Sequence, residues 1–355
     1  MKNKYIIIIL FFVIFLTGCS TIEIEEYAII AGIGIDYREN KYIVTYEIYK
    51  DDQGDVTSIS SITTTGEGKD VGGAIISTEA KIEQKSYLNH CRIIILSESI
   101  IDKQLNDVIS FLIHDPRMRS LEYIVISKDL TPKEILEKPK KEQVLSLQIY
   151  KDIQKDKGTA GIYSECRFVS IVNAIENKRR TVVIPTITYD DMIIFNGAKL
   201  FNDCTLKKEI DKNEVLYIQL LDNILQEGLT EVKEKSIFIK SFRCNKKYTK
   251  NIMNITLYFS LLAYDNINYD LSNIYDQEQL INDFNKEIKE KIMNILKEYQ
   301  TNQRDPFGIL DYIYYFHPFS YKKQNDIFDF YKKLEFEINV NTHIITTGFT
   351  EESME

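Results

Sequence analysis

The chain of 355 residues has no tryptophan, 4 histidines, 6 prolines and 14 glycines. So few Pro and Gly leave no room for a collagen-like or low-complexity architecture. So few His leave little material for a metal or histidine-based catalytic centre. Basic residues are in deficit: 44 Lys and Arg stand against 53 Asp and Glu, a net charge of −9. That balance speaks against a nucleic-acid partner, because phosphate binding needs a basic face. No apolar run reaches the roughly 20 residues of a comfortable spanning helix. G-x-S-x-G, H-E-x-x-H and P-loop spacings are all missing, and neither a cofactor nor a metal is expected. What remains is ordinary for a packed protein: 44% hydrophobic and 27% charged residues. At roughly 150 residues per domain, the length predicts two or three domains.

The N-terminus is the most informative stretch. Lys2 and Lys4 form a short basic flank, and Ile6 to Leu16 is an unbroken apolar run. The run has the length of a signal-peptide core. Leu16-Thr17-Gly18-Cys19 follows at once. An apolar residue, two small residues and Cys resemble a bacterial lipobox, in which the Cys thiol takes a diacylglyceryl group and becomes the new N-terminus. Residues 1–18 are therefore expected to be a signal peptide, Cys19 the lipidation site, and the lipid the membrane anchor on the outer face of the cytoplasmic membrane. Two acyl chains on one residue give stable anchoring. An acidic body would not itself be drawn to anionic lipid.

Four further cysteines, Cys91, Cys166, Cys204 and Cys244, allow three disulfide pairings. Their spacing is too wide for a zinc site. Cys91 opens the apolar run to Leu96, and Cys166 is placed on an amphipathic helix, so both read as small buried hydrophobes. Four free thiols are favoured.

Tyr27 to Asp36 and Tyr42 to Tyr49 read as a hairpin turned at Arg38-Glu39-Asn40. Gly32 and Gly34 do not make a nucleotide fingerprint, because the third position falls at Tyr37. They read as close backbone packing or a bulge. Thr63 to Gly68 reads as a turn. Helices follow around Val71–Ile82 and Ile101–Leu112, the second stopped by His114-Asp115-Pro116, and strands around Cys91–Leu96 and Leu121–Ser127. Thr131-Pro132-Lys133-Glu134 is a capping-box helix start. A helix is expected over Ser164–Asn177 and a strand over Thr181–Ile187, after Arg179-Arg180. Met192–Phe201 and Thr205–Ile210 form a pair turned at Asn202-Asp203, and a helix over 212–226 ends at Gly228 as its C′ residue. Two long strands, Ser236–Cys244 and Ile252–Tyr264, precede the longest helix, Asp276 to Tyr299, whose stripe is Leu280, Phe284, Ile288, Ile292, Ile295 and Tyr299. The last strand alternates strictly from Leu334 to Asn341. The fold class is α+β: mixed sheets with packed helices in two to three small domains, lipid-anchored. Domains are expected at 19–190 (an N-terminal α/β domain) and 191–355 (a C-terminal α+β region), with a further division near 235.

Several tracts together resemble the C subunit of bacterial spore germination receptors, the GerAC-like lipoprotein family. They are the lipobox, Ala28 to Asp36, Tyr87-Leu88-Asn89-His90-Cys91 with its following strand, Phe111 to Arg119, Asn196 to Phe201, Asp305-Pro306-Phe307-Gly308 after the long helix, and Thr346-Thr347-Gly348. Ser20-Thr21 stands where the family usually has Trp-Asp. The resemblance implies a non-enzymatic subunit on the spore inner membrane. It would be partnered by membrane-spanning A-type and B-type receptor subunits in a complex that senses nutrient germinants and starts germination.

A solute-binding lipoprotein of an importer is the alternative, sharing anchor and export but needing two similar lobes. Against an enzyme, His90 and His114 read as structural, and the acidic pairs Glu25-Glu26, Asp51-Asp52 and Asp190-Asp191 as solvated surface. The segment after the long helix is dense in aromatics. One helix face cannot hide Phe307, Tyr312, Tyr314, Tyr315, Phe316 and Phe319, so residues 305–321 are expected to dock onto a membrane-spanning partner.

Overall fold

The computed structural model describes residues 26–50, 60–138, 144–155, 158–232, 235–262 and 273–345. Cys19, the apolar run before it, Glu25 and Asp51-Asp52 lie outside these residues, as does Thr346-Thr347-Gly348.

The first sheet is built from β1 (Tyr27–Arg38), β2 (Lys41–Lys50), β3 (Ser60–Gly68), β4 (Lys85–Tyr87), β5 (Ile93–Ser97), β6 (Tyr123–Ser127), β7 (Val182–Asp190), β8 (Met192–Asn202) and β9 (Thr205–Ile210). Its order is β3-β2-β1-β5-β6-β7-β8-β9, with β4 paired to the start of β1. Strands β1, β5, β6 and β7 are mutually parallel, flanked by antiparallel strands on both sides. Glu39 and Asn40 both take positive φ, 50° and 59°, which matches a two-residue hairpin turn to the twist of β1 and β2.

Helices cover both faces of this sheet. On one lie α1 (Val71–Glu79), α2 (Glu98–Lys103), α3 (Leu105–His114) and α6 (Phe168–Asn177), packed with Ile94, Leu96, Ile124 and Ile126. On the other lie α4 (Pro132–Leu136), α5 (Leu145–Lys155) and α7 (Lys212–Leu221), packed with Ile93, Ile95 and Val125. The capping box forms as expected: Glu134 N–H donates to Thr131 Oγ1 and Thr131 N–H to Glu134 Oε2. A second carboxylate acts from a distance. Buried Glu47 on β2 accepts the backbone N–H groups of Leu145 and Ser146, each at 2.8 Å, and the hydroxyls of Ser61 and Ser146. It satisfies orphan donors at the start of α5.

The second sheet has order β10-β11-β12-β13, from β10 (Gly228–Val232), β11 (Lys235–Thr249), β12 (Ile252–Leu262) and β13 (Glu335–Ile345). Strand β13 runs parallel to β12. Between them the chain forms α8 (Ile274–Thr301), α9 (Ile309–Phe316), α10 (Pro318–Lys322) and α11 (Ile327–Lys332). The stripe Leu280, Phe284, Ile288, Ile292, Leu296 and Tyr299 of α8 is buried on one face of the sheet. Leu296 takes the place expected for Ile295, which is only partly covered. The core on the α7 side of the first sheet is continuous with this second core.

Several local expectations are corrected. Thr63 to Gly68 is part of β3. Gly66 is there because α1 packs directly on the strand, where a Cβ would collide with the Thr78 backbone nitrogen. The helix expected over 101–112 is two, broken at Gln104. Helix α6 begins at Phe168, and Cys166 precedes it in extended chain, its carbonyl accepting from Ile124 N–H. Helix α7 ends at Leu221, and Gly228 opens β10 packed against Ala160. The β8–β9 turn sits at Asp203-Cys204, both at positive φ. The boundary expected near residue 190 coincides with the turn between β7 and β8, which pair in one sheet. Among the described residues no helix is long and apolar enough to cross a membrane.

Candidate functional site: a clasp between the sheets and an aromatic shelf

Two tracts far apart in sequence meet where the sheets join: Arg179-Arg180-Thr181 before β7 and Asp305-Pro306-Phe307-Gly308 before α9. Thr181 N–H donates to Asp305 O at 3.0 Å, and Asp305 N–H donates to Thr181 Oγ1 at 2.9 Å. Arg180 Nη2 donates to Asp222 at the end of α7, to Tyr163 Oη and to Pro306 O. Burial opposes the Arg180 charge, but Asp222, Tyr163 and Asp305 around it together outweigh that and raise the pKa. Arg179 Nε donates to Asp311 Oδ1 at 2.9 Å, and its guanidinium lies 3.9 Å from the Tyr314 ring centroid. Gly308 closes the clasp at φ +65°, with Arg180 Nη1 and Asp222 Oδ1 each 3.3 Å from where a Cβ would stand. The left-handed backbone and the crowding both favour glycine.

Asp305 is fully buried, and its carboxylate accepts N–H groups of Phe307 (3.2 Å) and Leu310 (2.7 Å), capping α9 from within its own loop. Burial pushes its carboxyl up to about 6, with the helix N–H groups and the charges of Lys246 and Arg180 pulling the other way. Lys246 Nζ on β11 donates to Phe307 O at 2.7 Å, and Tyr312 Oη donates back to Lys246 O. A cleft of ≈ 550 Å³ opens beside the clasp, lined by residues of α6, the Arg179–Val183 tract, Asp222, Asn223, Asp311 and Tyr315. Its guanidinium groups are matched to carboxylates one by one. That arrangement fixes the positions of the two tracts.

The aromatic run divides at this site. Phe307 is fully buried edge-on to Tyr299, so its place in a partner interface is corrected: it is core. Tyr312 is half-buried and spent on Lys246. Tyr314 lies against Arg179 at the edge. Tyr315, Phe316 and Phe319 are 67%, 69% and 83% exposed and form a shelf across the end of α9 and the short α10. Sequence reasoning misses Asp222, Tyr163 and Thr181. The adjacent arginines are the available signal, since a buried guanidinium needs a nearby carboxylate.

The other candidates behave as structural groups. Cys91, Cys166, Cys204 and Cys244 are free thiols, and burial pushes Cys166 up to about 12 and Cys244 up to about 11. His114 Nδ1 lies 2.7 Å from Ser110 O within α3, and His90 packs beside Tyr87. Asp190-Asp191 forms the β7–β8 turn.

Known proteins place this architecture. Two family models match almost end to end: the spore germination protein N-terminal domain over residues 20–189, and the spore germination B3/GerAC-like C-terminal region over residues 196–348. The chain belongs to the GerAC-like spore germination proteins. It is 20% identical over 362 residues to spore germination protein GerQC of Bacillus cereus, covering 97% of this chain and 99% of the relative. It is 22% identical over 227 residues to spore germination protein A3 of Bacillus subtilis strain 168, which is 61% of this chain and 60% of that one. The crystal structure of the GerBC protein has a similar fold, with a TM-score of 0.57 at 17% identity over 89% of this chain and 97% of the other. These likenesses favour the germination reading over the solute-binding alternative, whose two similar lobes are not what the unequal sheets form.

Proposed function

We propose that this protein is the C subunit of a nutrient germinant receptor, lipid-anchored through Cys19 on the outer face of the spore inner membrane and assembled with membrane-spanning A-type and B-type subunits. The end-to-end similarity to GerQC carries this reading. The Leu16–Cys19 tract supports the anchor. No catalytic step is assigned to the chain. Its contribution is assembly and signal coupling, for which the clasp gives a rigid link between the two sheets. Tyr314, Tyr315, Phe316 and Phe319 are the part of the aromatic run left open for contact at the membrane face.

Deleting the gene is expected to abolish the nutrient response of spores while leaving their viability intact under receptor-independent triggering. The Cys19→Ala protein should accumulate unprocessed and take up no labelled fatty acid. Spores that respond normally to nutrients without the protein, with no second copy of such a receptor to substitute, would sink the receptor reading. Acyl label in the Cys19→Ala protein would sink the anchor alone.

A further inference from the structure

The parallel strands fix which end of the first sheet carries the shelf. Ile35 of β1 is level with Leu96, Leu96 with Ile126, and Ile126 with Thr186 of β7. Tyr27 lies eight residues before Ile35, and Arg179 lies seven before Thr186. The start of β1 and the clasp therefore share one end of the sheet, about 15 Å apart across three strand spacings. Arg179 holds α9 at that end through Asp311 and Tyr314. The same end is where the chain leads back to Cys19. Eight residues from Cys19 to Tyr27 reach at most about 29 Å, so a lipid on Cys19 keeps this end close to the bilayer.

The chemistry of the shelf fits that position. Residues 312–325 contain no Asp or Glu, in a chain where about one residue in seven is acidic. They contain six Tyr and Phe, and the exposed Lys322 and Lys323 follow directly after Phe319 and Tyr321. Exposed aromatic rings backed by lysines suit the headgroup boundary, where rings sit among glycerol and upper acyl groups and ammonium groups meet anionic phosphates.

The geometry points to a lipid surface as the occupant of the shelf: Tyr315, Phe316 and Phe319 enter the headgroup region of an anionic bilayer, with Lys322 and Lys323 on its phosphates. This rests on the Cys19 anchor proposed above. The shelf then supplies a second point of membrane contact and fixes the orientation of the body, which a single flexible tether cannot do.

The lack of tryptophan makes the test direct. Phe319→Trp introduces a sole indole reporter at a site 83% exposed, and Met192→Trp introduces one at a site 58% exposed on the opposite end of the β7–β8 hairpin. Each full-length lipidated protein is reconstituted into phosphatidylethanolamine/phosphatidylglycerol vesicles, with and without brominated acyl chains. The Phe319→Trp protein is expected to emit at shorter wavelength on the vesicles and to be quenched by the brominated lipid. The Met192→Trp protein should do neither. Adding Lys322→Glu and Lys323→Glu to Phe319→Trp should reduce the quenching while flotation persists. Flotation of the Phe319→Trp protein with no quenching overturns the inference and leaves the anchor standing. Failure to float overturns the anchor and the contact together. An indole at 319 that is shielded only when the membrane-spanning subunits are present, and is indifferent to brominated lipid, would assign the shelf to a protein partner instead.

Discussion

Strands β5 and β6 are buried along their whole length, whereas β12 buries only alternate residues and β13 exposes every second residue from Glu335 to His343. The first sheet is enclosed by helices on both faces. The second is covered by α8 on one face and leaves Asn245, Asn254, Tyr258, Asn339 and Asn341 on the other, open side. The contrast is the general one between parallel strands sandwiched by helices and a sheet with one wet face. It means that the second sheet takes the main part of its apolar cover from one long helix, with α11 adding Phe330 and Tyr331 against Tyr248 and Phe336. The first spreads the same task over seven.

That dependence can be broken most sharply at Phe284, fully buried on α8 and edge-on to Phe259 with centroids 5.0 Å apart. Phe284→Ala is expected to cost about 3–5 kcal/mol in urea unfolding. Ile94→Val in the first sheet should cost about 1 kcal/mol. Because the α7-side core is continuous between the sheets, unfolding should remain one transition. A separate early step in the Phe284→Ala protein would show that the sheets are independent.

Two of the buried carboxylates sharpen the comparison. Glu47 caps α5 in the first half, and Asp305 caps α9 in the second. Glu47→Ala strands two buried backbone N–H groups and should cost about 3 kcal/mol. Asp305 behaves differently. Its folded carboxyl titrates near 6, above the ordinary value of 3.8, so folding favours its protonated form. Its stabilising contribution is full below pH about 4 and is lost as pH rises through about 6. Asp305→Asn should flatten the stability profile between those limits. At pH 7 it should raise stability by about 1–2 kcal/mol, the gain from removing a desolvated charge less one lost acceptor. A variant with an unchanged pH profile would refute the burial argument for this carboxyl.

Thr131→Ala removes the side-chain half of the capping box and should cost about 1 kcal/mol, read as a shift in the unfolding midpoint. The smallest effect belongs to the shelf. Phe319→Ser should change stability by less than about 0.5 kcal/mol, since the ring packs on little within the protein.

How far the sequence can be read follows the same division. The alternation of β13 is plain because one face is wet, and the apolar runs of β5 and β6 are plain because neither face is. The capping box at Thr131 is a local signal and forms as spaced. Strand β3 is hidden by glycines that look like a turn but admit the backbone of α1. Strand β10 is hidden by Gly228, whose role is set by Ala160, 68 residues away. The clasp is half legible. Arg179-Arg180 and Asp305-Pro306-Phe307-Gly308 each stand out, but their meeting is a tertiary fact. Phe307 and Phe319 are the same residue type in the same aromatic run, and only packing separates the core ring from the surface one.

The parallel pairing of β12 with β13 also sets an order of events in folding. Ile252 pairs with Glu335, so the two strands are joined across 83 residues. The apolar face that α8 covers cannot be completed until β13 is available, after α8 and the three short helices that follow it. A high loop-closure cost falls at the end of assembly. The hairpin of β1 and β2 and the parallel strands beside it can form from early sequence, while β11 and β12 must wait with one edge open. Removing β13 would leave that edge permanently exposed and turn a folding intermediate into an aggregation-prone end state.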